Sequence, residues 1–215
     1  METLALLLTW TPFLLQGFVW NIIIAAVAVG LGSSLGALCA WLSLSMRPGV
    51  ARAAQAVTAF SRAVPTLVLI FYLATLVPNT LWIGSSSISI APWLKAAIAL
   101  AASPLGFTAW NLQTSIIAWR SGDRRAALLF IPNWMGAFVI TLLASSTASL
   151  VGVSELLGRC NAVIASSGSG TMLPVYFYGS CVFFVFCSFI NFSLDRLKQA
   201  LFLRVSEGEV DARTE

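Results

Sequence analysis

From Thr3 to Met46 the chain carries no Asp, Glu, Lys or Arg. No soluble domain keeps a run of that length and hydrophobicity away from water, whereas a bilayer-spanning helix needs roughly 20 consecutive apolar residues. The rest of the chain repeats the pattern. Charged residues make up 9% of the sequence, against roughly 25% in globular proteins, and hydrophobic residues 59%. Mean hydropathy is +0.90. The 215 residues allow about five spans with short loops. The composition therefore predicts an all-α integral membrane protein with one transmembrane domain over 1–203 and a charged tail over 204–215.

The same inventory removes several functions. Without histidine, most metal sites and histidine acid/base chemistry lack their usual group. No G-x-x-x-x-G-K-[ST] loop is present, so this chain does not bind ATP in that way. The formal charge of +4 is too thinly spread for nucleic acid and fits basic loops on one side of a membrane. Cys39, Cys181 and Cys187 lie in apolar runs and Cys160 near a polar loop; none forms a C-x-x-C pair, and all read as small buried apolar residues. No residue set points to a resident cofactor, a metal or an enzyme of its own.

Spans are expected at about Gly17–Ser45, Ala53–Leu76, Pro92–Trp110 (with helix to Trp119), Ile131–Val153 and Leu173–Leu194. Thr11-Pro12 is expected to separate Leu4–Trp10 as an interfacial stub. Gly84-Ser85-Ser86-Ser87 reads as polar loop, and Ser166–Thr171 as a flexible connector. An outside N-terminus puts Arg47, Arg52, Arg120, Arg124, Arg125, Arg196, Lys198, Arg204 and Arg213 inside, and only Lys95 and Arg159 outside. That asymmetry predicts N-out, C-in.

A few residues stand out. Gly32 and Gly36, with Gly30 just before, form a small-residue pattern that lets two helices approach closely, within the chain or across a dimer. Arg62 falls inside the second expected span, with Pro65 close behind. A charge at membrane depth costs a few kcal/mol, about 2.5–3.5 on the lenient scale. Arg62 therefore faces protein, water or a counter-charge, or else snorkels from a span that starts later. Pro65 is expected to kink that span. Ser145-Ser146-Thr147-Ala148-Ser149 supplies hydroxyls that line a polar cavity or bond back to their own helix. Glu155 reads as an interfacial carboxylate or a partner for Arg159 one turn on.

Four segments together resemble the membrane subunits of ATP-binding-cassette importers for polar amino acids and opines. Pro12-Phe13-Leu14-Leu15-Gln16-Gly17 is similar to the family's opening. Ser61-Arg62-Ala63-Val64-Pro65-Thr66-Leu67-Val68 is similar to its F-R-G-T-P-L-L-V segment. Pro132-Asn133-Trp134 followed by Phe138–Leu142 is similar to its L-P segment. Ser145-Ser146 through Val151-Gly152-Val153-Ser154-Glu155-Leu156 is similar to its T-S-L-x-S-x-I-G-x-x-E-L segment. The four occur in the family's order, and the resemblance covers about Trp10–Leu203.

The resemblance implies a type I ABC importer permease fold in the bacterial inner membrane. It implies a second permease subunit, a cytoplasmic ATPase dimer that binds the ATP, and an external solute-binding protein. It also implies a solute path, for which Arg62, Pro65, Ser145, Ser146 and Glu155 are the candidates. The family's G-Q-x-E-A-A coupling element falls on Gly122-Asp123-Arg124-Arg125-Ala126-Ala127. The glutamate position is Arg125, and only Leu128–Ile131 separates Ala127 from Pro132, so about a dozen residues are missing. The family's upstream Glu and Arg positions fall on Trp110 and Gln113. These departures suggest the passive half of a heteromeric pair, or a non-transporting scaffold or regulatory paralogue.

Overall fold

The computed structural model describes residues 2–83 and 86–214. Nine α-helices are described: α1 Glu2–Ser43, α2 Pro48–Ala63, α3 Thr66–Leu76, α4 Pro92–Leu100, α5 Ala102–Arg120, α6 Arg124–Leu128, α7 Phe130–Ala144, α8 Leu156–Ser167 and α9 Met172–Thr214. A 3-10 turn over Ser145–Val151 extends α7. Strands β1 (Thr80–Ile83) and β2 (Ser86–Ser89) form an antiparallel hairpin where a polar loop was expected. Gly84 and Ser85, and the side chains of Arg125, Arg204 and Arg213, lie outside the described residues.

Helix α1 is the axis of the molecule. It runs unbroken through Pro12, so Leu4–Trp10 is not a separate stub. Pro12 removes one backbone donor. The Thr9 and Thr11 hydroxyls donate to the carbonyls of Ala5 and Leu7 in the same stretch, the kind of local support that lets membrane helices tolerate proline. On one side of α1, Leu14, Phe18 and Ala25 pack with Leu142, Leu156 and Val175. On the other, Ile24 and Ala28 pack with Ile70 and the alanine-rich α4.

Contacts along α1 fix the direction of its neighbours. Trp20 meets Trp93 while Gly36 meets Leu105 and Thr108, so α4–α5 runs parallel to α1. Asn21 bonds to Ser145 and Ser33 to Trp134, so α7 runs antiparallel. Thr11 bonds to Tyr178 and Phe18 packs on Phe183 and Phe186, so α9 runs parallel again. The α1–α2 turn, the α5–α7 connection and the charged end of α9 thus share one end of the bundle. By length and apolarity, helices over Leu4–Ser43, Ala126–Val151 and Ser169–Ala200 can cross a membrane, and α2 with α3 makes a fourth candidate if the bent pair is one span. The expected third span is present as α4–α5, interrupted only at Ala101, but Lys95, Asn111 and Gln113 make it less apolar than the others.

The expected second span is corrected. Pro65 does more than kink it: α2 and α3 meet at 94°. Val64 and Pro65 are both extended, as the restriction on a residue preceding proline requires. Helix α4 begins with Pro92 at its first turn, where a missing N–H costs nothing.

Candidate functional site

The buried polar centre of the protein is built on α1, the 3-10 turn and α8. Asn21, Ser145 and Glu155 are all fully buried. The Asn21 amide nitrogen donates to Ser145 Oγ at 2.9 Å and to Glu155 Oε2 at 2.9 Å. Its carbonyl oxygen accepts from the Leu156 amide at 3.0 Å. Glu155 also caps α8, accepting from the amides of Leu157 and Gly158 at 2.9 Å each. A carboxylate surrounded by N–H donors at the positive end of a helix is a buried charge that the fold can hold. Ser145 itself donates to Leu142 O.

Arg159, one turn into α8, is also buried, yet it does not pair with Glu155. Its Nη1 donates to Phe13 O at 2.8 Å and Gln16 Oε1 at 2.7 Å, its Nε to Ser154 O at 3.1 Å, and the guanidinium lies 4.6 Å over the Phe13 ring. Gly17 makes this possible: a Cβ there would sit 2.7 Å from Arg159 Cδ and 3.0 Å from the Leu156 Cα. Glu155 and Arg159 thus clamp α8 onto α1 side by side, each with its own partners. Of the two readings of Glu155, neither the interfacial carboxylate nor the partner of Arg159 is what the fold shows: it is buried and accepts from Asn21 and the α8 amides, while Arg159 donates to carbonyl and amide oxygens.

The five candidate path residues do not gather in one place. Ser145 and Glu155 belong to the buried centre. Ser146 borders a cavity of about 350 Å³ between the 3-10 turn, α8 and α9, with Tyr176 and Ser180. Arg62 and Pro65 lie at the α2–α3 break and are exposed. The Arg62 guanidinium stacks 4.8 Å over Trp110, and Gly106 admits the end of α2, since a Cβ there would lie 2.6 Å from Arg62 Cγ. The back-bonding reading holds for Ser146, Thr147 and Ser149, whose hydroxyls donate to their own turn. Ser145 also bonds across elements, to Asn21.

The small-residue pattern serves packing inside the chain. A Cβ on Gly32 would strike the Ala101 carbonyl and lie 2.7 Å from Pro104; one on Gly36 would lie 2.6 Å from Leu105 O. Gly30, grouped with them, meets nothing within 4 Å. Between the two packing glycines, Ser33 accepts from Trp134 Nε1 at 2.7 Å, joining α7 to the same seam.

The α5–α7 connection is short. Gly122 turns the chain at φ 89°, a conformation favoured by glycine. Asp123 then caps α6 by accepting from the Ala126 amide at 2.9 Å, and α6 ends at Leu128. Five residues make little more than one helical turn.

Asn21 is the residue that sequence reasoning missed. The signal was present: it is the one amide between Gln16 and Ser33, and an amide inside an apolar helix marks an interhelical hydrogen bond.

No protein-family model and no curated protein matches this chain. Two solved structures do. A crystal structure of an amino acid ABC transporter with histidines superposes with a TM-score of 0.75 at 16% identity, covering 90% of this chain and 96% of that one. An inward-facing structure of the MetNI methionine ABC transporter superposes with a TM-score of 0.57 at 18% identity, covering 87% and 95%. The fold is that of an ABC transporter membrane subunit.

Proposed function

We propose that this chain is a transmembrane permease subunit of an ATP-driven importer for polar amino acids or related solutes. In this reading it crosses the bacterial inner membrane about five times, with the bent α2–α3 pair and α4–α5 each counted as one crossing and the N-terminus outside, and forms half of the translocation path with a second permease subunit. A cytoplasmic ABC ATPase dimer supplies ATP hydrolysis and an external binding protein supplies solute. The observation that carries this reading is the superposition over 90% of the chain on an amino acid ABC transporter. A second reading, a non-transporting scaffold or regulatory paralogue, draws on the five-residue α6, which is too short for a two-turn coupling helix.

Mild-detergent purification from native membranes, with every co-purifying chain identified, separates the two. An ATPase plus a second permease with a full coupling loop supports the importer, with this chain as its passive half. The chain alone, or as a homodimer without an ATPase, favours the scaffold. Within the importer reading, the exposed Arg62 supplies fixed positive charge to a solute carboxylate at the α2–α3 break. Arg62→Ala is expected to lower uptake by the reconstituted complex without reducing membrane insertion, and full uptake would remove Arg62 from the path.

A further inference from the structure

A cavity of about 350 Å³ lies between the 3-10 turn, α8 and α9, toward the end of the bundle opposite the basic loops. Its wall includes Ser146, Leu157, Cys160, Tyr176, Ser180 and Phe183. Pockets for small ligands measure roughly 300–1,000 Å³, so this one suits a molecule of a ring and a short arm. The hydrogen bonding of the wall is one-sided. Ser146 donates to Leu143 O at 2.8 Å, Ser180 to Tyr176 O at 2.9 Å and Tyr176 to Asn161 Oδ1 at 2.7 Å. The Cys160 thiol donates weakly to Val175 O, 3.9 Å away. The amides of Leu156 and Leu157, also on the wall, serve Asn21 and Glu155. A hydroxyl has one proton and two lone pairs, so once the proton is donated inward the oxygen is left as an acceptor. Tyr176 and Phe183 add ring faces, which attract cations.

Charge points the same way. Among the described residues, no ionised side chain lines the cavity. Glu155 immediately precedes Leu156 on the wall, whereas Arg159 is turned toward α1 and held by Phe13 and Gln16. Burial, and then the Glu155 carboxylate, push the Cys160 thiol up to about 11, so negative charge is what this wall feels. The other cations are placed elsewhere: Lys95 is held by Val77 and Asn79, and Arg62 lies on Trp110.

We infer that this cavity binds a small apolar amine in its ammonium form. The ammonium donates to the hydroxyl oxygens of the wall, and the rings of Tyr176 and Phe183 with Leu157 hold the apolar body. A carboxylate of the same shape would find no donor and would be left unsatisfied near Glu155. The site is separate from Arg62 at the α2–α3 break, and it stands whether or not the chain works with an ATPase.

Equilibrium binding to the purified full-length chain tests this, in an uncharged maltoside detergent at neutral pH. Benzylamine, benzyl alcohol and benzoate present one body with a positive, a neutral and a negative head. Benzylamine is expected to bind about tenfold more tightly than benzoate, the effect of one hydrogen bond to a charged group, with benzyl alcohol between them. Ser146→Ala combined with Ser180→Ala removes two acceptor oxygens and is expected to weaken benzylamine about tenfold. Both hydroxyls bond only to their own helix turns, so the thermal midpoint of the double variant stays near that of the unchanged protein. Ser193→Ala removes a hydroxyl bonded in the same way to Phe189 O but outside the cavity, and leaves benzylamine binding as it was. No benzylamine binding, equal affinity for benzylamine and benzoate, or full benzylamine binding by the double variant overturns the assignment.

Discussion

At the residue scale, Asn21 does the most. One side chain serves Ser145, Glu155 and the first amide of α8, so its loss removes a partner from three buried groups at once. Asn21→Leu keeps the approximate size but removes the amide, and leaves a carboxylate without one of its donors. An unsatisfied buried polar group costs about 1–3 kcal/mol, and more when charged. Thermal unfolding in detergent is expected to show a clear drop in midpoint for Asn21→Leu and little change for Gly30→Ala, because a Cβ at Gly30 meets nothing. An undiminished midpoint for Asn21→Leu would show that the network does not contribute to stability. Arg62 is the counterexample: the sequence marks it as strongly, yet it ends on an exposed indole because α2 stops at Ala63 and the chain bends there.

At the scale of elements, the decisive feature is how α8 is held. A 12-residue helix has few residues with which to anchor itself, and here the apolar contacts of Leu156, Cys160 and Val163 are joined by polar ones: the Glu155 cap, the Asn21 bonds and the three hydrogen bonds of Arg159. The buried thiol of Cys160 lies one residue beyond Arg159 and reports on that anchoring. In a protein where Cys39, Cys181 and Cys187 are replaced by Ser, Cys160 is expected to react slowly with maleimide. Arg159→Ala should speed that reaction severalfold, because α8 then separates more often from Phe13 and Gln16. Equal rates would mean that the apolar contacts of Leu156 and Val163 hold α8 by themselves. The α5–α7 connection shows the opposite economy, since a capped single turn and one glycine suffice to reverse the chain.

For the whole molecule, the alternating helix directions place Arg47, Arg52, Arg120 and Arg124 at one end of the bundle together with Arg196 and Lys198. That clustering is what the positive-inside rule acts on. Cysteine labelling with a membrane-impermeant reagent in intact cells reads out the orientation. Ser87→Cys, in the hairpin, is expected to react from outside, and Ser121→Cys only after permeabilisation. The reverse pattern would invert the topology.

Much of this was legible in the sequence because lipid imposes simple rules. Uncharged runs of sufficient length, interrupted by basic loops, dictate membrane helices and their ends. Gly32 and Gly36 announce a close helix contact through their size alone. Glu155 and Ser145 could be marked as special because polar groups inside apolar runs need a reason to be there. Which partners they take was not legible, since hydrogen bonds between Asn21 and Ser145, or between Arg159 and Phe13, join residues more than a hundred positions apart. The same holds for whether Gly36 packs on α5 or on another chain, and for how far Pro65 turns α3 away from α2. Local chemistry permits a kink, but the 94° bend is sustained by the packing of Ile70 against α1 and α4. Composition and charge placement alone dictate a bundle of membrane helices with a basic end. Only the tertiary structure decided which polar groups meet, because that depends on the faces α1 turns toward each of its neighbours.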